Sequence, residues 1–155
     1  METKIEPKGV EGWLLLLCFV LIIGSPILQL GGIANTLKSM QENHLFLDRH
    51  PGLYSVFRAD IILSSIVCYY GINAGWALYK INVGAVKKVK NYFLIATAYQ
   101  IASYLLPMTV EDLPKEYIDS ISNEGSKQTI KSLLTIAVWY LYIVKSKRVK
   151  NTYLT

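Results

Sequence analysis

No charged side chain occurs between Gly12 and Leu37, a run of 26 residues, and three further stretches lack charge as completely. Ile61–Tyr79 gives 19 such residues, Asn91–Val110 gives 20 and Ser132–Val144 gives 13. Only 17% of the 155 residues are charged, and the charges sit between the apolar runs instead of alternating with them. That arrangement excludes an ordinary soluble helical domain, whose helices need one polar face. Cysteine is almost absent: Cys18 and Cys68 are the two, with no CxxC spacing, which argues against a disulfide framework or a thiol redox motif. There is no P-loop, GxSxG or HExxH pattern, no low-complexity tract and no Gly/Ser linker. Catalysis has no support in the sequence, and no cofactor is implied.

What is present is enough apolar length to cross a bilayer. A hydrocarbon core of ~30 Å takes about 20 residues at ~1.5 Å rise each. The expected fold class is all-α, a polytopic membrane protein with four transmembrane helices in one bundle. The spans fall at about 12–37, 57–79, 91–110 and 129–145, leaving outer loops 38–56 and 111–128, a loop 80–90 and a tail 146–155. The fourth run is short, and spans if Lys131 and Lys145 stretch their stems toward the headgroups. Lys4 and Lys8 resemble the basic start of a signal peptide, but the apolar run far exceeds the usual ~7–15 residues. It reads as a retained signal-anchor span.

Orientation follows from the basic residues. The termini and loop 80–90 hold ten cations against three acids, whereas the two longer loops hold six cations against eight acids. The positive-inside rule makes the first side cytoplasmic, so both termini are expected inside, where the clustered lysines meet anionic lipid. The net charge of +5 reflects this asymmetry and requires no nucleic acid. Trp13, Trp76 and Trp139 fall toward the same boundary, and Tyr54, Phe57 and Tyr104 toward the other, as interfacial anchors do.

Few polar groups lie within the spans. Pro26 lacks an N–H, which frees the carbonyl of Ile22 and predicts a kink in the first span. Gly24, Gly31 and Gly32 offer that span a flat surface for a neighbour. Gln100 lies at mid-depth in the third span and is expected to bond the freed carbonyl, as interhelical glue or as part of a polar substrate site at the kink. Asn73 lies in the small-residue run Gly71–Gly75 of the second span. Asp60 and Lys131 lie at similar depth near the outer surface, and an ion pair between them is expected, with independent snorkelling as the alternative. His44, Asp48 and His50 share the first outer loop but match no metal-ligand spacing. In the second outer loop Pro114 suits a first helical position, Leu113, Tyr117, Ile118 and Ile121 share a face, and Gly125 suits an end. A short amphipathic surface helix is expected there.

Two end motifs carry a family resemblance. Gly9-Val10-Glu11-Gly12-Trp13-Leu14 with Ser25-Pro26, and Trp139-Tyr140-Leu141-Tyr142 followed by Ser146-Lys147-Arg148-Val149-Lys150-Asn151-Thr152-Tyr153, resemble the opening and close of the bacterial family called domain of unknown function 2569. The resemblance implies a four-span bacterial inner-membrane protein and carries over no activity or catalytic residue. The closing motif reads as a juxtamembrane segment: Lys147, Arg148 and Lys150 meet lipid phosphates and Val149 with Tyr153 returns to the interface, with docking of a partner through Ser146–Tyr153 as the alternative. The expected function is that of a non-enzymatic accessory or interaction subunit, packing with itself or with a larger membrane complex. The alternative is a small oligomeric transporter or channel around Pro26 and Gln100, which requires Gln100, Asn73 and Gln29 to face a common axis.

Overall fold

The computed structural model describes residues 9–111, 113 and 115–153, and every regular element among them is helical. Helix α1 spans Trp13–Glu42, α2 His44–Arg49, α3 Pro51–Tyr79, α4 Ala85–Leu105, α5 Lys115–Ser120, α6 Ser126–Lys145 and α7 Lys147–Tyr153. Two of them, α1 and α3, are long and apolar enough to cross a membrane by length and composition. Helix α3 packs against α1 on one side and α4 on the other, and α4 in turn packs against α6. The core lies where these helices meet, around Leu14, Leu17, Leu21, Leu78, Val89, Phe93 and Ile143. A smaller cluster of Leu47, Leu53 and Leu113 closes the opposite end.

Several boundaries differ from the expected ones, each for a local reason. The loop expected at 80–90 spans only residues 80–84, because Gly84 takes a left-handed φ of 78° and opens α4 at once. Lys87, Lys88 and Lys90 therefore ride on a helix. Upstream of it, Asn82 N–H reaches the Ala77 carbonyl and Ile81 N–H the Leu78 carbonyl, a Schellman closure of α3. Its left-handed residue is Ile81, with φ 51°, a strained conformation for a β-branched side chain. At the other end of α4, Pro107 lies in a 3₁₀ turn, Leu106–Thr109, so the α-helix ends before the expected limit at Val110. The first outer loop is nearly all helix: α1 runs on to Glu42, and Pro51 opens α3.

Gly125 does not end a helix. It has φ −62° and ψ −41°, and the π turn Ile121–Gly125 carries α5 directly into α6. The expected surface helix is thus the start of a longer one; Asp112 and Pro114, part of that expectation, lie outside the described residues. In α1 the interruption foreseen at Pro26 takes the form of a π turn, Val20–Gly24, in which Ser25 N–H bonds the Val20 carbonyl. A π turn is a common way for a helix to continue past such a break.

The glycines used for close approach are also different ones. A Cβ on Gly24, Gly31 or Gly32 would meet nothing within 4 Å, whereas one on Gly75 would come within 2.8 Å of Leu21 and Ile22, and one on Gly71 within 3.0 Å of the Tyr92 ring. The flat surfaces that matter are on α3.

Candidate functional site

Helix packing leaves one seam unfilled. Helices α1 and α6 lie on either side of a cavity of ≈ 590 Å³ whose floor is α3 and α4, without the close helix-on-helix seam that the other neighbours make. That volume falls in the range of small-molecule sites, about 300–1,000 Å³. Ser25 beside Pro26, Gln29, Asp60, Tyr99, Gln100 and Lys131 all line it. Asp60, on α3, is held by α4: its Oδ1 accepts hydrogen bonds from Ser103 Oγ at 2.8 Å and Tyr99 Oη at 3.1 Å. Tyr99 and Ser103 are four residues apart, so one face of α4 presents both donors. Deeper in, the Ser25 and Tyr92 hydroxyls stand 3.4 Å apart. The Gln29 side-chain oxygen is buried with no hydrogen-bond partner.

The end of the cleft nearest the termini is closed by aromatic rings. Trp13 and Trp139 meet edge to face with centroids 6.3 Å apart, and Trp139 meets Tyr142 at 6.0 Å. Behind them a clasp joins the two chain ends. Ser146 has extended backbone dihedrals, and its hydroxyl accepts the Val149 N–H at 3.4 Å, which starts α7. Helix α7 then turns back onto the core: Val149 is 1% exposed, and Tyr153 Oη donates to the Leu78 carbonyl at 2.6 Å. Gly9 N–H donates to Thr152 Oγ1 at 3.0 Å, and Arg148 lies 3.6 Å from Glu11. Every partner on this list comes from the two end motifs or from the end of α3.

A family model described as "Protein of unknown function (DUF2569)" matches residues 7–154. The chain belongs to that family. No curated protein and no solved structure matches it. The resemblance read from the two end motifs thus holds over nearly the whole DUF2569 chain, and those motifs are the halves of one clasp.

The remaining expected site residues fall as follows. Gln100 lines the cleft but makes no hydrogen bond to the Ile22 carbonyl, because the π turn has already rearranged the bonding before Pro26. Asp60 and Lys131 share the cavity without an ion pair; the two α4 hydroxyls hold one oxygen of the carboxylate, and depth alone does not bring two side chains together. Asn73 is exposed, away from the cleft, where its Oδ1 accepts from Lys88 Nζ at 3.3 Å. Arg148 faces Glu11, and Val149 and Tyr153 face the core, so this part of the closing motif is an internal fastener, not a set of lipid contacts. His44, through Nδ1, lies 3.2 Å from the Gln41 carbonyl, and no cluster of three or more His, Cys, Asp or Glu forms among the described residues. The sequence reading missed Tyr99 and Ser103, whose only signal was their shared helical face.

Burial raises the pKa of Tyr153 above its ordinary value of 10.0. Ionisation is therefore harder in the closed clasp than in an open one. The stabilising contribution is complete below the unfolded value near 10 and is lost as pH rises through the folded one. The clasp is expected to loosen above pH ~10, seen as faster trypsin cleavage at Arg148 and Lys150. Tyr153→Phe should be cut faster at neutral pH and lose this alkaline step; retention of the step would assign it to another group.

Proposed function

We propose that this chain is a four-span protein of the bacterial inner membrane, with both termini in the cytoplasm, acting as a non-enzymatic interaction or accessory subunit. It works by receiving a guest in the cleft between α1 and α6. The observation that carries this reading is the unfilled seam: three helix contacts are packed and the fourth is open onto a largely apolar cavity whose floor carries Asp60, Tyr99 and Gln100. Support for four spans comes from the outward faces. Leu94 on α4 and Leu134 and Val138 on α6 are 71%, 63% and 65% exposed, like Leu28 on α1 at 78% and Ile62 on α3 at 60%. Lipid solvates such faces, whereas water does not. The clasp also supports an even number of crossings, since it holds both chain ends at one end of the molecule. Lys87, Lys88 and Lys147 then meet anionic lipid there.

A transporter is the second reading, favoured by the unpartnered Gln29 oxygen inside the cleft. Its oligomeric form loses ground, since Asn73 points to Lys88 and not to an axis shared with Gln29 and Gln100. Solute flux by the pure protein in liposomes would favour it.

Two measurements test the first reading. In intact cells, cysteine probes at Glu42 or Ser122 are expected to be labelled and one at Val83 protected until the membrane is opened. Val83 is fully exposed, whereas Val86 packs on the core and would stay silent on either side. Photo-crosslinking from Ser132 in the cleft is expected to give a discrete adduct that Ile62, on the lipid face, does not. Reversed labelling would overturn the topology, and identical adducts the cleft.

A further inference from the structure

The cleft carries one charge on its floor and one on the α6 wall, and no ion pair joins them. Asp60 supplies the acid; its Oδ1 takes both donors from α4, and among the described residues no hydrogen bond engages its second oxygen. Lys131 supplies the base, and the ion pairs among the described residues, Lys38–Glu42 and Arg148–Glu11, do not include it. With one charge of each sign in a single cavity, a simple anion or cation can satisfy only one of them. A ligand bearing both an ammonium and an anionic oxygen group satisfies the two together.

The surroundings extend this ligand into an amphiphile. Lys131, Thr135 and Trp139 line the cleft and also line an apolar groove of ≈ 550 Å³ along α6, with Ile130, Leu134 and Val138. Cleft and groove thus meet along Lys131, Thr135 and Trp139, with Lys131 the charge between them. Counted along the helices, Asp60 stands roughly 28 Å from Tyr79, and Lys131 roughly 21 Å from Lys145. In a core of ~30 Å both charges fall in the leaflet away from the termini, Asp60 near headgroup level and Lys131 about 9 Å short of it, a gap its long stem reaches across.

Building on the proposed guest-binding cleft, we infer that cleft and groove form one site for a zwitterionic phospholipid. Its ammonium meets Asp60, its phosphate meets Lys131, and one acyl chain lies along Ile130, Leu134 and Val138. A primary ammonium donates hydrogen bonds to the carboxylate, so an ethanolamine headgroup fits better than a quaternary choline. A glycerol headgroup lacks the cation and leaves Asp60 facing a net anion.

The test uses the full chain purified in mild detergent and doped with phosphatidylethanolamine, phosphatidylcholine or phosphatidylglycerol, with bound lipid counted by native mass spectrometry. Phosphatidylethanolamine is expected to be retained about tenfold over phosphatidylglycerol, and Lys131→Gln, which takes the partner from a phosphate that both lipids carry, to lower retention of both by about that factor. Asp60→Asn should remove the preference, but Asp60 also joins α3 to α4; Lys131 is exposed and makes no such bond, so its variant keeps the test independent of folding. Equal retention of the two lipids, or unchanged retention of phosphatidylethanolamine in Lys131→Gln, overturns the inference. So does tail-free phosphoethanolamine binding as well as the whole lipid, which would make the ligand a small zwitterion. A protein adduct from Ser132 with no lipid preference would overturn the lipid while leaving the guest-binding cleft in place. No discrete adduct at all would remove both.

Discussion

Replacing Gly75 with alanine is expected to lower stability by roughly 1–3 kcal/mol, because the added methyl has no room. Its carbon would stand 2.8 Å from the Leu21 Cβ and an Ile22 side-chain carbon, and 3.3 Å from the Ile22 backbone nitrogen. A flexible side chain could swing aside, but a Cβ and a backbone atom move only if the helix does. Helix α1 would have to shift off α3 along its π turn, which also disturbs one wall of the cleft. Gly31→Ala and Gly32→Ala are the controls: nothing lies within 4 Å of either new methyl, so both should remain within about 0.5 kcal/mol of the parent. Thermal unfolding in mild detergent reads the difference. A Gly75→Ala protein as stable as Gly31→Ala would mean that α1 and α3 do not meet at this seam.

Val149→Asp is expected to release the clasp. Val149 is 1% exposed in the main core, and a carboxylate there gains neither water nor a cation. A buried unpaired charge costs several kcal/mol, about 3–5 where a partner is missing. Helix α7 is only seven residues long, so the chain can escape the full penalty by letting it detach. The expected result is therefore a rapid trypsin cut at Arg148 and Lys150, with a smaller loss in overall melting. Lys147→Asp makes a larger charge change at an exposed position of the same helix and keeps both cleavage sites, and should leave the tail protected. If both variants are cut equally, charge alone accounts for the effect and the docked α7 is refuted.

Much of the fold was legible because uncharged length is a strong signal: α1 and α3 fall where the first two apolar runs predict them. Their ends were less legible, since lysines 87, 88 and 90 read as loop residues in composition but continue a helix once Gly84 has started it. Which glycines pack was not legible at all. A helix that is apolar all round has no polar face to reveal its azimuth, so Gly31–Gly32 and Gly71–Gly75 looked equivalent. The same gap explains Asp60. Depth counting matched it with Lys131, whereas the face of α4 that carries Tyr99 and Ser103 determines its actual bonds. The closing motif was misread because a basic, aromatic segment has the same composition whether it lies on lipid or docks on protein. Only the burial of Val149 and the bond from Tyr153 separate the two.

The clasp has a consequence for how the protein is made. The bond from Gly9 to Thr152 joins residues 143 positions apart, so it forms only after α7 has left the ribosome. Until then Gly9, ahead of α1, lacks its Thr152 partner, and the Leu78 carbonyl lacks the Tyr153 hydroxyl. A chain lacking α7 would leave both the Gly9 N–H and the Leu78 carbonyl without these partners, so the same seven residues fasten two distant parts of the fold at once.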